Sequence, residues 1–113
     1  MLNINGVELE FDLLDADTAE KYDECMKEIH KIKDKVVGMS VGESIRYQCN
    51  IIFDCFDAIF GEGTAFEVFN GKANLRICLE ALESLVTEAN KQVTDMDKKY
   101  SKYSPNRATR RGK

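Results

Sequence analysis

Few residues in this chain are of a type that does chemistry, and their spacing limits what each could do. Two acidic pairs, Asp54/Asp57 and Glu80/Glu83, stand three residues apart within helical patterns, where paired carboxylates could share acid–base work. That work also needs a pocket and a partner that separates the two carboxyls, and no His, Ser or Lys is placed to complete either pair. Asp54 and Asp57 flank a strongly apolar stripe, so both are expected to face water. The four cysteines, Cys25, Cys49, Cys55 and Cys78, form no CxxC pair, and His30 has no second ligand pair with which to build a tetrahedral zinc site. Each cysteine falls inside a helical pattern, which points to buried free thiols in a reducing compartment. His30 lies off the apolar stripe of its helix and is expected at the surface. The run Gly61-Glu62-Gly63-Thr64 precedes a helix but lacks the GK[ST] ending and the preceding strand of a phosphate loop. It reads as a helix stop followed by a capped helix start. No catalytic, cofactor-binding or metal-ligating residue is assigned, no cofactor is expected, and the chain is not read as an enzyme.

Charge carries more information. All twenty Asp and Glu lie in residues 1–97 beside only nine Lys and Arg, a net charge near −11. Residues 98–113, KKYSKYSPNRATRRGK, hold seven basic residues and no acidic one, so the two parts differ in sign and in their expected tasks. An acidic body repels phosphates, which leaves only the basic end suited to them and makes nucleic acid an unlikely partner for the chain as a whole. No run approaches the ~18 apolar residues of a membrane span. The start, MLNINGVELEFD, lacks the basic and apolar regions of a signal peptide. Arg107, Arg110 and Arg111, with Asn106, are the tail's candidate contact residues, because the guanidinium fork suits carboxylate and phosphate. Beyond residue 101 there are too few apolar side chains to offset the entropy of ordering, so a disordered basic tail over 102–113 is expected.

The elements follow from periodicity. Val7, Leu9, Phe11 and Leu13 alternate with acidic residues after Asn5-Gly6, a strong hairpin signal, so a β-hairpin is expected over 1–14. A lone hairpin is marginal in water and must rest on helices or on another chain, and it leaves an open edge. Asp17 with Glu20 predicts the start of a helix over 17–37, whose stripe is Tyr22, Cys25, Met26, Ile29, Ile32 and Val36 and whose other side is a solvated charged face. Ser40 and Glu43 open a second over 41–60, the most apolar element, and Thr64 with Glu67 opens a short one over 64–70 closed by Asn70-Gly71. The last helix, 74–101, is long for so small a body, and Val93, Met96 and Tyr100 are expected to project past the core until Pro105 forbids continuation. Five Phe between residues 53 and 69 are expected mainly as core, with some rings left over for another chain. The fold class is therefore mainly α: one folded domain over 1–101, three to four helices packed as a small bundle with an N-terminal β-hairpin.

The residues Ile4 to Leu13 (INGVELEFDL) and Asn106 to Arg111 (NRATRR), with looser likeness through the second long helix and Phe60 to Thr64, carry a resemblance. The chain resembles small proteins of the tail-gene clusters of siphophages and prophages of Gram-positive bacteria, described as tail assembly chaperones or tail-region proteins of unknown function. The resemblance implies a non-enzymatic, chaperone-like role in the bacterial host cytoplasm, with a tape-measure or tail-tube protein as partner. Candidate partner-binding residues are then Met96, Tyr100, Asn106, Arg107, Arg110 and Arg111, with self-association into a homo-oligomer as a further possibility raised by the short hairpin and overlong last helix. The alternative is a small nucleic-acid-associated regulatory protein that uses the basic C-terminal arm to hold phosphates.

Overall fold

The computed structural model describes residues 2–100. Asn5 and Gly6 both take positive φ, 54° and 83°, the twist that a two-residue hairpin loop requires. They fold β1 (Leu2–Ile4) antiparallel onto β2 (Val7–Leu9), pairing Leu2 with Leu9 and Ile4 with Val7. Leu2, Ile4, Leu9 and Phe11 turn inward while Glu8 and Glu10 stay exposed, as alternation predicts. The ladder stops at Leu9, short of the expected residue 14, because the following residues have no strand beside them. Gln92 takes that place. Its Nε2 donates to the Phe11 carbonyl at 2.7 Å, and its Oε1 accepts from the Leu13 N–H at 2.7 Å, so one side-chain amide satisfies two backbone groups.

Asp12 then turns the chain, its carboxylate accepting from the Leu14 N–H at 3.1 Å, and this turn decides where the next helix begins. α1 (Ala16–His30) is capped by Asp15, which accepts from the Thr18 N–H at 3.2 Å. The cap expected at Asp17 with Glu20 is corrected. Asp15 and Asp17 are equally good cap residues, but the turn leaves Asp15 with extended backbone (φ −80°, ψ 127°) and Asp17 already inside the first turn. The helix expected over 17–37 is also interrupted. The Lys31 N–H bonds back three residues to Glu28, tightening the turn, and α2 (Ile32–Lys35) follows as a separate piece. Ile29, Ile32, Val36 and Val37 are β-branched and hold the helix weakly here, and Gly38 ends it with φ of 87°.

α3 (Val41–Phe60) has the expected reciprocal cap: Ser40 Oγ accepts from the Glu43 N–H at 3.2 Å, and Glu43 Oε1 accepts from the Ser40 N–H at 3.1 Å. The Ser40 N–H holds the Glu43 carboxyl below its ordinary value. α4 (Thr64–Phe69) is not capped by Thr64 with Glu67. Its cap position is Gly63, with φ of 92° and no side chain to accept, and Asp57 of α3 substitutes by accepting from the Ala65 N–H at 2.8 Å. Asn70, at φ 54°, closes α4. α5 (Leu75–Tyr100) starts where Asn74 Oδ1 accepts from the Ile77 N–H at 3.1 Å.

The chain is thus mostly helical with an N-terminal hairpin, and its core is built on α3, which packs against α1, α4 and α5. Phe56, Ile52, Leu85, Cys49 and Cys78 are fully buried there. Ring contacts run from Phe53 to Phe69 (5.1 Å), Phe69 to Phe56 (5.3 Å), Phe56 to Phe60 (5.7 Å), Phe60 to Phe11 (5.9 Å) and Phe11 to Tyr22 (6.0 Å). Phe66 is the ring left outside, 68 % exposed, lying beside Gly71.

Two substitutions rank these supports. Phe56→Ala should cost about 3–5 kcal/mol in urea unfolding, from lost transfer energy and an unfilled cavity. Gln92→Ala should cost about 1–3 kcal/mol, because it strands the Phe11 carbonyl and the Leu13 N–H together.

Candidate protein-binding surfaces

Two surfaces stand out once the core is filled. The first is the far end of α5. Its buried residues are Cys78, Ala81, Leu85 and Ala89, and after Ala89 none of its residues is buried. Val93 and Tyr100 are more than two-fifths exposed, Met96 is half-buried, and exposed Leu14, in the turn before α1, lies with Met96 and Tyr100. Phe11, Leu14, Gln92, Met96, Lys99 and Tyr100 line a shallow groove of about 270 Å³ between this end of α5 and the segment that follows the hairpin. The Lys99 ammonium lies 5.5 Å from the Tyr100 ring centre. Met96 and Tyr100 are therefore brought together with two residues, Phe11 and Leu14, that sequence periodicity did not connect to them. Asn106, Arg107, Arg110 and Arg111 lie outside the described residues. The hairpin adds a possible edge, since neither of its strands has a second neighbour among the described residues.

The second surface is a groove of about 500 Å³ between α1 and α3. Asp17, Glu20, Glu24 and Glu28 from α1 and Asp54 from α3 form its rim, with Lys21 as the one cation in the lining, over a floor of Cys25, Ile51, Cys55 and Ala58. Glu24 pairs with Lys27 at 3.6 Å and Glu28 with Lys31 at 3.3 Å, both exposed pairs of the kind that contributes little. Asp17, Glu20 and Asp54 form no ion pair within 4 Å among the described residues, although Lys21 shares their groove. The acidic stripe was legible as spacing along one helix, but only the packing of α1 on α3 shows that it borders a groove.

The other chemistry-bearing residues separate. Asp57 caps α4, so the Asp54/Asp57 pair is divided between two tasks and Asp57 is not the purely solvated residue expected. Glu80 and Glu83 remain exposed beside Arg76. His30 is exposed and borders a third groove, of about 430 Å³, with Ile29, Lys33, Gln48 and Leu79. All four cysteines are free and buried, and the fold sets them in two neighbouring pairs across helix interfaces, which their sequence spacing does not reveal. The Cys25 thiol donates to the Cys55 carbonyl at 3.7 Å. The neighbouring Cys25 sulfur, then burial, then Asp54 and Glu28 push the Cys55 thiol up. Burial first, and then Cys49, push the Cys78 thiol up to about 12. Among the described residues no helix is long and apolar enough to cross a membrane.

The thiols supply a check on this packing. Thiol-specific alkylation of the native chain at pH 8 should label the four cysteines slowly, and labelling in denaturant should be complete, as read by mass spectrometry. Because the folded Cys78 value lies above the ordinary 9.0, its contribution to stability is full below pH 9 and is lost as pH rises towards 12. Unfolding midpoints in urea should therefore fall across that window, and less steeply in Cys78→Ala.

No curated protein and no solved structure matches the chain. A family model matches residues 5–113, which takes in the hairpin turn, every helix and the basic end. On that match the chain belongs to DUF6673, a family of unknown function.

Proposed function

We propose that this chain works by binding another protein and performs no chemistry of its own, as a chaperone-like component of phage or prophage tail assembly whose partner is a tape-measure or tail-tube protein. The tail-assembly part of this reading rests on the resemblance of Ile4 to Leu13 and Asn106 to Arg111 to such proteins. The observation that supports protein binding is the end of α5. A helix that runs from its last buried residue, Ala89, to Tyr100 exposes Val93 and Tyr100 beside Met96 and Leu14, apolar surface that the chain's own core does not cover. An amphipathic helix of a partner laid along this strip would bury it, in the helix-against-groove mode of peptide recognition. A long helical protein that is apolar in places needs such cover before it assembles. The arginines of the basic end, following directly on this strip, would add charge-assisted contacts to a partner's carboxylates.

Co-expression with the tail proteins encoded beside this chain tests the reading. Retention of a tape-measure or tube protein on the tagged chain is the expected result, and failure to retain either would remove the tail-assembly role. Met96→Asp with Tyr100→Ser should lower retention about tenfold or more without lowering the unfolding midpoint, as loss of two central apolar contacts does at an interface. Arg107→Ala, Arg110→Ala and Arg111→Ala together should weaken it further, and more so at low salt. The alternative, a regulatory protein with a nucleic-acid arm, draws only on the basic charge of residues 98–113. A gel shift at about 0.15 M salt should show no retardation of duplex or single-stranded DNA.

A further inference from the structure

We infer that the groove between α1 and α3 seats this chain's own basic segment, residues 101–113. This seating does not depend on whether the external partner is a tail protein. Asp17, Glu20, Glu24 and Glu28 recur every three or four residues along the α1 rim, and Asp54 faces them from α3. Three of these five, Asp17, Glu20 and Asp54, form no ion pair within 4 Å among the described residues, Lys21 is the one cation in the lining, and the pairs made by Glu24 and Glu28 are exposed ones that a better-fitting cation displaces. Residues 101–113 hold Lys102, Arg107, Arg110, Arg111 and Lys113 and no acidic residue. The floor between the rims, Ile51 and Ala58 with the two cysteines, offers apolar surface to the methylene stems of arginine while the guanidinium groups reach the carboxylates.

The place where α5 ends favours this occupant over one from elsewhere. Tyr100 lines a groove with Asp12 and Leu14, and Leu14 is followed directly by the Asp15 cap and by Asp17, the first rim residue. The segment therefore departs from the end of the molecule where the acidic groove begins. From Asp17 to Glu28 the rim runs about 17 Å along a helix, at ~1.5 Å per residue. Residues 101–113 span up to roughly 43 Å when extended, at ~3.3 Å per residue, enough to round the end of α1 and lie along the groove. A segment tethered this closely competes at an effective concentration on the order of millimolar, which free basic peptides rarely match. Seated there, the arginines are withheld from any partner, and a partner must out-compete the groove to engage them.

Zero-length carbodiimide cross-linking of the full-length chain at low concentration tests this, since it joins Lys amines only to carboxylates in contact with them. Links from Lys102 or Lys113 to Glu20, Glu24, Glu28 or Asp54 within one copy should exceed severalfold those to the exposed Glu8, Glu62, Glu67 and Glu83. The excess should disappear in the triple variant Arg107→Ala, Arg110→Ala, Arg111→Ala, and also at about 0.5 M salt, where screening acts over roughly 4 Å. Links spread evenly over the surface would overturn the inference, as would an excess that survives the triple variant. Links that join the groove to Lys102 or Lys113 only between isotopically distinct copies would overturn it too, and would assign the groove to a second copy's segment.

Discussion

Phe56 sits fully buried in the middle of α3, edge-on to Phe69 at 5.3 Å and 5.7 Å from Phe60, and two short elements depend on those contacts. α4 has six residues, too few for a helix to persist alone in water. It stays because Val68 and Phe69 enter the core beside Phe56, and because Asp57, one residue further along α3, caps its first turn. The hairpin has only two short strands, below what stands by itself. It is fastened through Phe11, which touches Phe60 on one side and Tyr22 of α1 on the other. Each such ring pair adds about 0.5–1.5 kcal/mol beyond the burial of its area. The rings of α3 thus hold α4 and the segment after the hairpin, and the polar tethers at Gln92, Asp57 and Asn5, which donates to the Val68 carbonyl at 3.0 Å, fix these elements against the core.

How much of this was legible depended on the range over which each interaction acts. Asn5-Gly6, the Ser40–Glu43 box, the Asn70 stop and the periodic faces of α3 and α5 are local. Each is determined within a few residues, and each could be read directly. The choice between Asp15 and Asp17 was not local in that sense, because either caps a helix and the turn at Asp12 selects one. The Thr64–Glu67 pattern failed for a related reason: a cap supplied from α3 left the local pattern unneeded. Gln92 was out of reach altogether, since nothing about one glutamine in a long helix indicates that two backbone groups near the N-terminus await it. The cysteine pairs and the α1/α3 groove are likewise products of packing.

The groove itself has a simple origin. Where α1 meets α3 the facing residues include Cys25, Cys55 and Ala58, small side chains that let a crevice open above them. The same interface built with leucines would fill that volume and leave the carboxylates of α1 on a plain solvated face. Small residues below and acidic ones above therefore turn a charged helix surface into a concave one. Two of the five carboxylates have lysine partners at the exposed rim, while Asp17, Glu20 and Asp54 form no ion pair among the described residues, so this stretch of α1 and α3 gains from a cation that settles there.

The outer turns of α5 show the complementary situation. From Gln92 to Tyr100 the helix has no buried residue, so the core does not account for its persistence there. Its own sequence does part of this: Asp95 stands three and four residues ahead of Lys98 and Lys99, and the two lysines complement the partial negative charge at a helix C-terminus. Such effects amount to a few tenths of a kcal/mol each. They keep a helix formed without burying its apolar side. Val93, Met96 and Tyr100 recur at the spacing of a buried stripe, and among the described residues Phe11 and Leu14 line one shallow groove with Met96 and Tyr100. A stripe with core periodicity and little core beneath it is the arrangement expected of a helix completed by another chain, and the arginine-bearing segment continues from that same end. Because the basic segment follows Tyr100 directly in sequence, a partner helix laid over the end of α5 would meet the start of that segment as well.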